Sequence, residues 1–141
     1  MATSELLKKA EIFATETHFG QIDRGGAPYI EHPRAVAAKV DGELEKVVAW
    51  LHDTVEDTDA TIGQIRELFG DEVADAVGLL THDKSVPYFD YVREIKENPI
   101  ARAVKMADLS HNMDISRIPS PTDADFERIA KYKTAIDILR E

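Results

Sequence analysis

The chain has 141 residues, 43% hydrophobic and 31% charged, the composition of a soluble globular protein long enough to bury one core and too short for two. A formal charge of −10 argues against nucleic acid or an anionic membrane as a partner, since both draw on clustered lysine and arginine. The absence of cysteine removes disulfides, thiolate metal sites and cysteine nucleophiles, and no apolar run approaches the roughly 18 residues that cross a bilayer.

A single domain over residues 1–141 is therefore expected. Its first residues, Met1-Ala2-Thr3-Ser4-Glu5, have neither a basic stretch nor an apolar one, which predicts a cytoplasmic protein. Thr3 or Ser4 can cap a first helix in which Leu6, Ala10, Phe13 and Thr17 recur every three to four residues, ending near His18-Phe19-Gly20. Paired glycines and a proline then mark residues 21–30 as a loop. Pro33 suits the first position of the next helix, which makes His32 its expected N-cap. Asp41-Gly42 breaks that helix, and Glu43 opens another whose apolar run Val47-Val48-Ala49-Trp50-Leu51 leads directly into His52-Asp53-Thr54-Val55-Glu56-Asp57.

Thr61 with Gln64 forms a capping box, Gly70 ends the helix it opens, and Asp71 can cap the one after. Residues 81–87 are polar and read as a loop; residues 88–97 are amphipathic; Asn98-Pro99 starts a helix running to Met113. Ser120-Pro121-Thr122 interrupts, and a last helix carries Ile129, Tyr132, Ile136 and Leu139. No strand pattern is present, so the expected fold is an all-α helical bundle with a site built between helices.

An isolated His-Asp pair is usually a solvated helix end. Here it ends a wholly apolar run, where unpaired charges cost several kcal/mol unless a metal or partner compensates them. His32, His52, Asp53 and Asp108 form a mixed nitrogen and oxygen set suited to a divalent cation. If the helix continues through Asp57, Glu56 lies one turn beyond His52 and Asp57 one turn beyond Asp53. The two acids could then share proton transfer, one activating a water and the other protonating a leaving oxygen. Against this set, adjacent helical residues diverge by about 100°, so His52 and Asp53 converge only if the imidazole bends round. Arg24 and Lys105 are candidate phosphate contacts, and Asn112, one turn after Asp108, could bond a sugar or base. His111 is expected beside the site without reaching the ion, and His18 and His82 carry little signal.

The segments Gly26-Ala27-Pro28-Tyr29-Ile30-Glu31-His32-Pro33, His52-Asp53-Thr54-Val55-Glu56-Asp57-Thr58 and Lys105-Met106-Ala107-Asp108-Leu109-Ser110-His111-Asn112-Met113 together resemble the HD superfamily of metal-dependent phosphohydrolases. More narrowly they resemble the hydrolase domain of RelA/SpoT enzymes and its small stand-alone relatives. The resemblance implies an HD-domain bundle that removes the 3′-pyrophosphate of guanosine tetra- or pentaphosphate, with Mn²⁺ or another divalent metal on His32, His52, Asp53 and Asp108. It assigns Glu56 and Asp57 to catalysis and Arg24 and Asn112 to substrate. The loop over residues 21–28 departs from the family pattern by being short and acidic at Asp23, as do residues 81–88. Two other readings use the same residues: an HD phosphohydrolase acting on another phosphorylated nucleotide or dinucleotide, and a module that binds nucleotide without turnover.

Overall fold

The computed structural model describes all residues except Met1, Arg24 and Pro119, with side chains except those of Ala2, Thr3, Ser4 and Arg117. Arg24, the phosphate contact expected from the sequence, therefore lies outside the described residues. Among those residues the regular structure is helical, and the one β pairing is an isolated antiparallel bridge between Ile22 and Pro28.

Helix α1 (Ala2–Thr17) begins before Thr3 and Ser4, so they stand inside it instead of capping it. Gly20 and Gly26, both with φ near +90°, turn the loop that follows. Helix α2 (Glu31–Lys39) starts two residues before Pro33, which corrects the expected cap: His32 is the second helical residue. The cause is a pair of turns, Glu31 N–H to Pro28 O at 3.1 Å and His32 N–H to Tyr29 O at 2.9 Å, that wind the loop straight into the helix. Pro33 still costs no intrahelical bond, because first-turn amides have no helical acceptor.

Helix α3 (Glu43–Leu51) ends where the expected continuous helix would have run on; His52 and Asp53 form a turn, and a single helical turn, α4 (Thr54–Asp57), resumes the direction. The capping box of Thr61 and Gln64 opens α5 (Ile62–Phe69), with reciprocal bonds of 3.0 and 3.1 Å. Gly70, at φ +94°, closes α5 and opens α6 (Asp71–Leu80), so Asp71 is a helical residue paired to Arg66 at 2.8 Å instead of a cap. Then come α7 (Tyr88–Lys96), α8 (Pro99–Asn112) capped by Asn98, a 3-10 turn at Ile115–Arg117, and α9 (Asp123–Arg140) capped by Thr122.

Every residue from Val47 to Leu51 is buried, so the second half of α3 is apolar on all sides and can only occupy the interior. It packs against α1, α2, α6 and α8, while α7 and α8 pack on α9. This placement has a direct consequence for the site. The chain emerging from the end of α3 is still inside the molecule, and the first side chains it presents there are His52 and Asp53. No helix of the described residues is long and apolar enough to cross a membrane.

Candidate metal centre

Three segments deliver polar side chains to one buried point: the first turn of α2 gives His32, the turn after α3 gives His52 and Asp53, and α8 gives Asp108. One ligand atom from each of the four lies within 4.8 Å of the others. His32 Nε2 is 2.7 Å from Asp108 Oδ1 and 3.8 Å from Asp53 Oδ2. His52 Nε2 is 3.0 Å from Asp53 Oδ2 and 3.4 Å from Asp108 Oδ1. The geometric objection to neighbours converging is met by the break in the helix. Asp53, at φ −103° and ψ 0°, sits in the bridge region between helix and strand, where active-site residues often lie.

His52 tests the fit of a metal. Its Nδ1–H donates to Ala49 O at 2.6 Å, which leaves Nε2 as the nitrogen facing the cluster. That Nε2 is buried and makes no hydrogen bond, in spite of its two carboxylate neighbours. A buried, unpartnered ring nitrogen beside two carboxylates is a ligand set in want of a cation. His32 is held in the same manner, since its Nδ1 bonds His111 Nδ1 at 2.7 Å while Nε2 faces the cluster. The rings of His32 and His111 stack with centroids 4.9 Å apart, so His111 stands behind a proposed ligand, beside the centre.

The electrostatics agree. Burial works against charge on Asp108, but Lys105 and the two histidines overcome it and hold the carboxyl well below the usual range. Burial likewise opposes ionisation of Asp53, and His52 outweighs it, leaving the carboxyl at about 2. For His52, burial disfavours the charged ring, yet Asp53 and Asp108 raise it well above the ordinary histidine value. Carboxylates that draw a proton to this ring nitrogen draw a metal cation to the same place.

Around the four lie Lys105, Asn112, Glu56 and Asp57, which the sequence also singles out. Lys105 Nζ donates to Asp108 Oδ2 at 3.0 Å, and Asn112 Nδ2 donates to Asp108 Oδ1 at 3.1 Å. Both therefore hold a proposed ligand in place and line the cavity, of about 290 Å³, into which the cluster opens. Glu56 and Asp57 line it too. Glu56 Oε1 accepts the His82 amide proton at 2.7 Å, which fixes one oxygen and leaves the other free. Asp57 stands exposed at the mouth, and its carboxyl is pushed up to about 6 by partial burial, then by Asp53 and Glu56.

Two contributors carried no sequence signal. Tyr29 sends its hydroxyl proton to Asp53 Oδ2 and comes within 3.5 Å of Asp57 Oδ2, an arrangement that depends on the turn over residues 23–28. His18 donates from Nδ1 to Gln21 Oε1 at 2.8 Å, and Gln21 Nε2 donates to Asp57 O at 3.0 Å, tying the loop to α4. A second cavity of about 360 Å³ adjoins the first; Tyr29, Asn112 and Tyr132 line both, and Ile22, Asp23 and Arg128 line only the second.

No family model matches the chain. The guanosine-3′,5′-bis(diphosphate) 3′-pyrophosphohydrolase MESH1 of Danio rerio is 37% identical over 145 residues, covering 93% of this chain and 79% of that protein. The Mus musculus protein of the same name is 36% identical, covering 92% and 79%. A GTP pyrophosphokinase of Myxococcus xanthus is 38% identical over an alignment of 128 residues that covers 77% of this chain but only 17% of that longer protein. Among solved structures, a metazoan ortholog of SpoT that hydrolyses ppGpp superposes with a TM-score of 0.77 at 27% identity, covering 96% of this chain and 85% of that one.

Proposed function

The chain belongs to the family of MESH1-type pyrophosphohydrolases and RelA/SpoT hydrolase domains, and on that premise we propose that it is a metal-dependent hydrolase of guanosine 3′,5′-bis(diphosphate). The single observation that carries the metal chemistry is the buried, unbonded Nε2 of His52 facing Asp53, Asp108 and His32. A divalent cation on those four, Mn²⁺ in our reading, supplies Lewis acidity toward a phosphate and lowers the pKa of a water.

The reaction is attack of water on the phosphorus bonded to the ribose 3′-oxygen. The new P–O bond goes to the departing diphosphate, the P–O3′ bond breaks, and the ribose oxygen takes a proton. Two protons must move, and Glu56 and Asp57 are the acids at the mouth of the cavity. Asp57, at about 6, is poised to accept a proton or release one near neutral pH. Glu56, anchored on the His82 amide, offers one free oxygen in a fixed place. Tyr29 holds Asp53 by its hydroxyl, and Lys105 with Asn112 holds Asp108, so the acids that bind the ion keep their orientation. The adjoining cavity, with the Tyr132 ring and Arg128, has the size and lining for the nucleoside.

A second reading keeps the chemistry and changes the base. The acidic Asp23 and apolar Ile22 line the nucleoside cavity, and Arg128 there is already engaged by Asp125 at 3.0 Å. A turnover screen against a nucleotide panel decides. The Mn²⁺-loaded protein should release pyrophosphate and GDP from the guanosine tetraphosphate, with chelator abolishing the reaction. Release only from some other nucleotide promotes the second reading, and binding without release from any of them leaves a nucleotide-binding module.

A further inference from the structure

Substrate and site have the wrong charges for each other. The cavity beside the metal centre is lined by Asp53, Glu56, Asp57 and Asp108, and the whole chain carries −10. A diphosphate entering it meets four carboxylates. The cations available to offset them are few. Lys105 is committed to Asp108 at 3.0 Å, and its ammonium is buried under the rings of Tyr88 and Tyr91. Arg128 lines only the neighbouring cavity and is bonded to Asp125.

One lining cation remains. Lys131, on α9, projects into the diphosphate cavity, and among the described residues it makes no ion pair. Its ammonium rests 4.1 Å above the centroid of the Tyr88 ring, a cation–π seat that orients the long side chain without neutralising its charge. A seated but unpaired ammonium differs from an ordinary surface lysine in having lost freedom of movement before any ligand arrives. Its neighbours on α9 fit the assignment. Tyr132, the next residue, lines both cavities, and Arg128, three residues back, lines the nucleoside side. One turn of α9 thus brings two cations and a ring to the two adjoining cavities.

Resting on the reading above, we propose that Lys131 binds the diphosphate of the substrate, contacting non-bridging phosphate oxygens across the cavity from the metal centre. It is a binding residue, so its removal should be felt in KM. Three variants test it in the metal-loaded protein: Lys131→Ala, Lys131→Met, which keeps the stem and loses the charge, and Lys131→Arg, which keeps the charge. Lys133→Ala, exposed on the same helix and lining neither cavity, is the control.

Lys131→Ala and Lys131→Met should raise KM for guanosine tetraphosphate roughly tenfold, the scale of one charge-assisted contact, with Lys131→Arg restoring most of it and Lys133→Ala showing no change. Binding of inorganic pyrophosphate to the Mn²⁺-loaded protein, followed by calorimetry, should weaken by a similar factor in the same two variants. This second measurement does not require that the nucleotide assignment be right. If the wild-type protein fails to hydrolyse the tetraphosphate, the functional reading fails while pyrophosphate affinity still decides on Lys131. If Lys131→Met binds pyrophosphate as tightly as wild type, or if Lys133→Ala weakens it as much, the inference is overturned.

Discussion

In the proposed reaction Asp57 is a residue on which proton transfer turns, and its state can be measured. It stands exposed at the mouth of the cavity, yet partial burial, with Asp53 and Glu56 adding like charge, lifts its carboxyl from the ordinary 3.8 to about 6. A carboxyl whose pKa is raised by folding binds its proton more tightly in the folded chain. Its favourable contribution to stability is thus complete below the unfolded value and is lost as pH rises through about 6. Between pH 4 and 7 the metal-free wild type should therefore lose stability relative to Asp57→Asn, which cannot ionise. Carbon-13 titration of the Asp57 carboxyl in metal-free protein should give a midpoint near 6, and a midpoint below about 4.5 would show that neither its partial burial nor Asp53 and Glu56 raise it. At this scale the sequence is most informative where chemistry is local. His32, His52, Asp53 and Asp108 can be singled out because histidine and carboxylate side chains beside an apolar run are costly to bury unless they share a cation. Tyr29 and Lys131 cannot, because a tyrosine in a loop and a lysine on a polar helix face look like any others. The hydroxyl of Tyr29 finds Asp53 across 24 positions of chain, and the Lys131 ammonium finds a ring 43 positions away.

The element that makes the site is the interruption between α3 and α4. Thr54 is fully buried, and its hydroxyl donates to Leu51 O at 2.8 Å, closing the end of α3 and tightening the turn that aims His52 and Asp53 inward. Thr54→Val keeps the shape and removes that bond, at a cost of about 1 kcal/mol. Thr61→Ala removes the N-cap of α5 at a similar cost, about 1 kcal/mol, away from the ligands. The two should lower Tm alike, but only Thr54→Val should weaken metal binding. Equal metal affinities in the pair would mean that the turn is held by packing alone. Helix ends are legible in the sequence where a side chain closes them, as at Thr61 and Asn98. They are hidden where the backbone does so: at α2, whose entry is set by Pro28 and Tyr29 carbonyls, and at the start of α6, where Gly70 and not Asp71 stands before the helix. The break at His52-Asp53 is invisible because both residues keep right-handed φ and ψ and neither is a helix breaker by type.

For the whole molecule, the proposed ligands join three parts of the bundle that are far apart in sequence, and the join lies against the apolar end of α3. Without a cation the folded chain keeps Asp53 and Asp108 close together in its interior, where burial opposes the ionisation of both. The histidines and Lys105 offset this at a cost of their own, because the ring nitrogen of His52 bonds to neither carboxylate. A divalent ion held there would remove both penalties at once and would bind the folded chain alone, since unfolding scatters the four proposed ligands. By linkage, metal at about 100 times its Kd adds roughly 2.7 kcal/mol. For a chain of this length each kcal/mol is worth roughly 3 to 5 °C, so Mn²⁺ should raise Tm by roughly 10 °C over chelator-treated protein. The net charge of −10 offers a competing route to the same shift, because any divalent ion could gather on the acidic surface and stabilise weakly. The site and the surface separate in two comparisons. Ca²⁺, which prefers oxygen ligands and a larger shell, should give a much smaller shift than Mn²⁺. His52→Ala should abolish the Mn²⁺ shift while leaving the surface charge untouched. A Tm that rises equally with Mn²⁺ and Ca²⁺ and survives in His52→Ala would assign the stabilisation to the surface and remove the metal from the core of the fold.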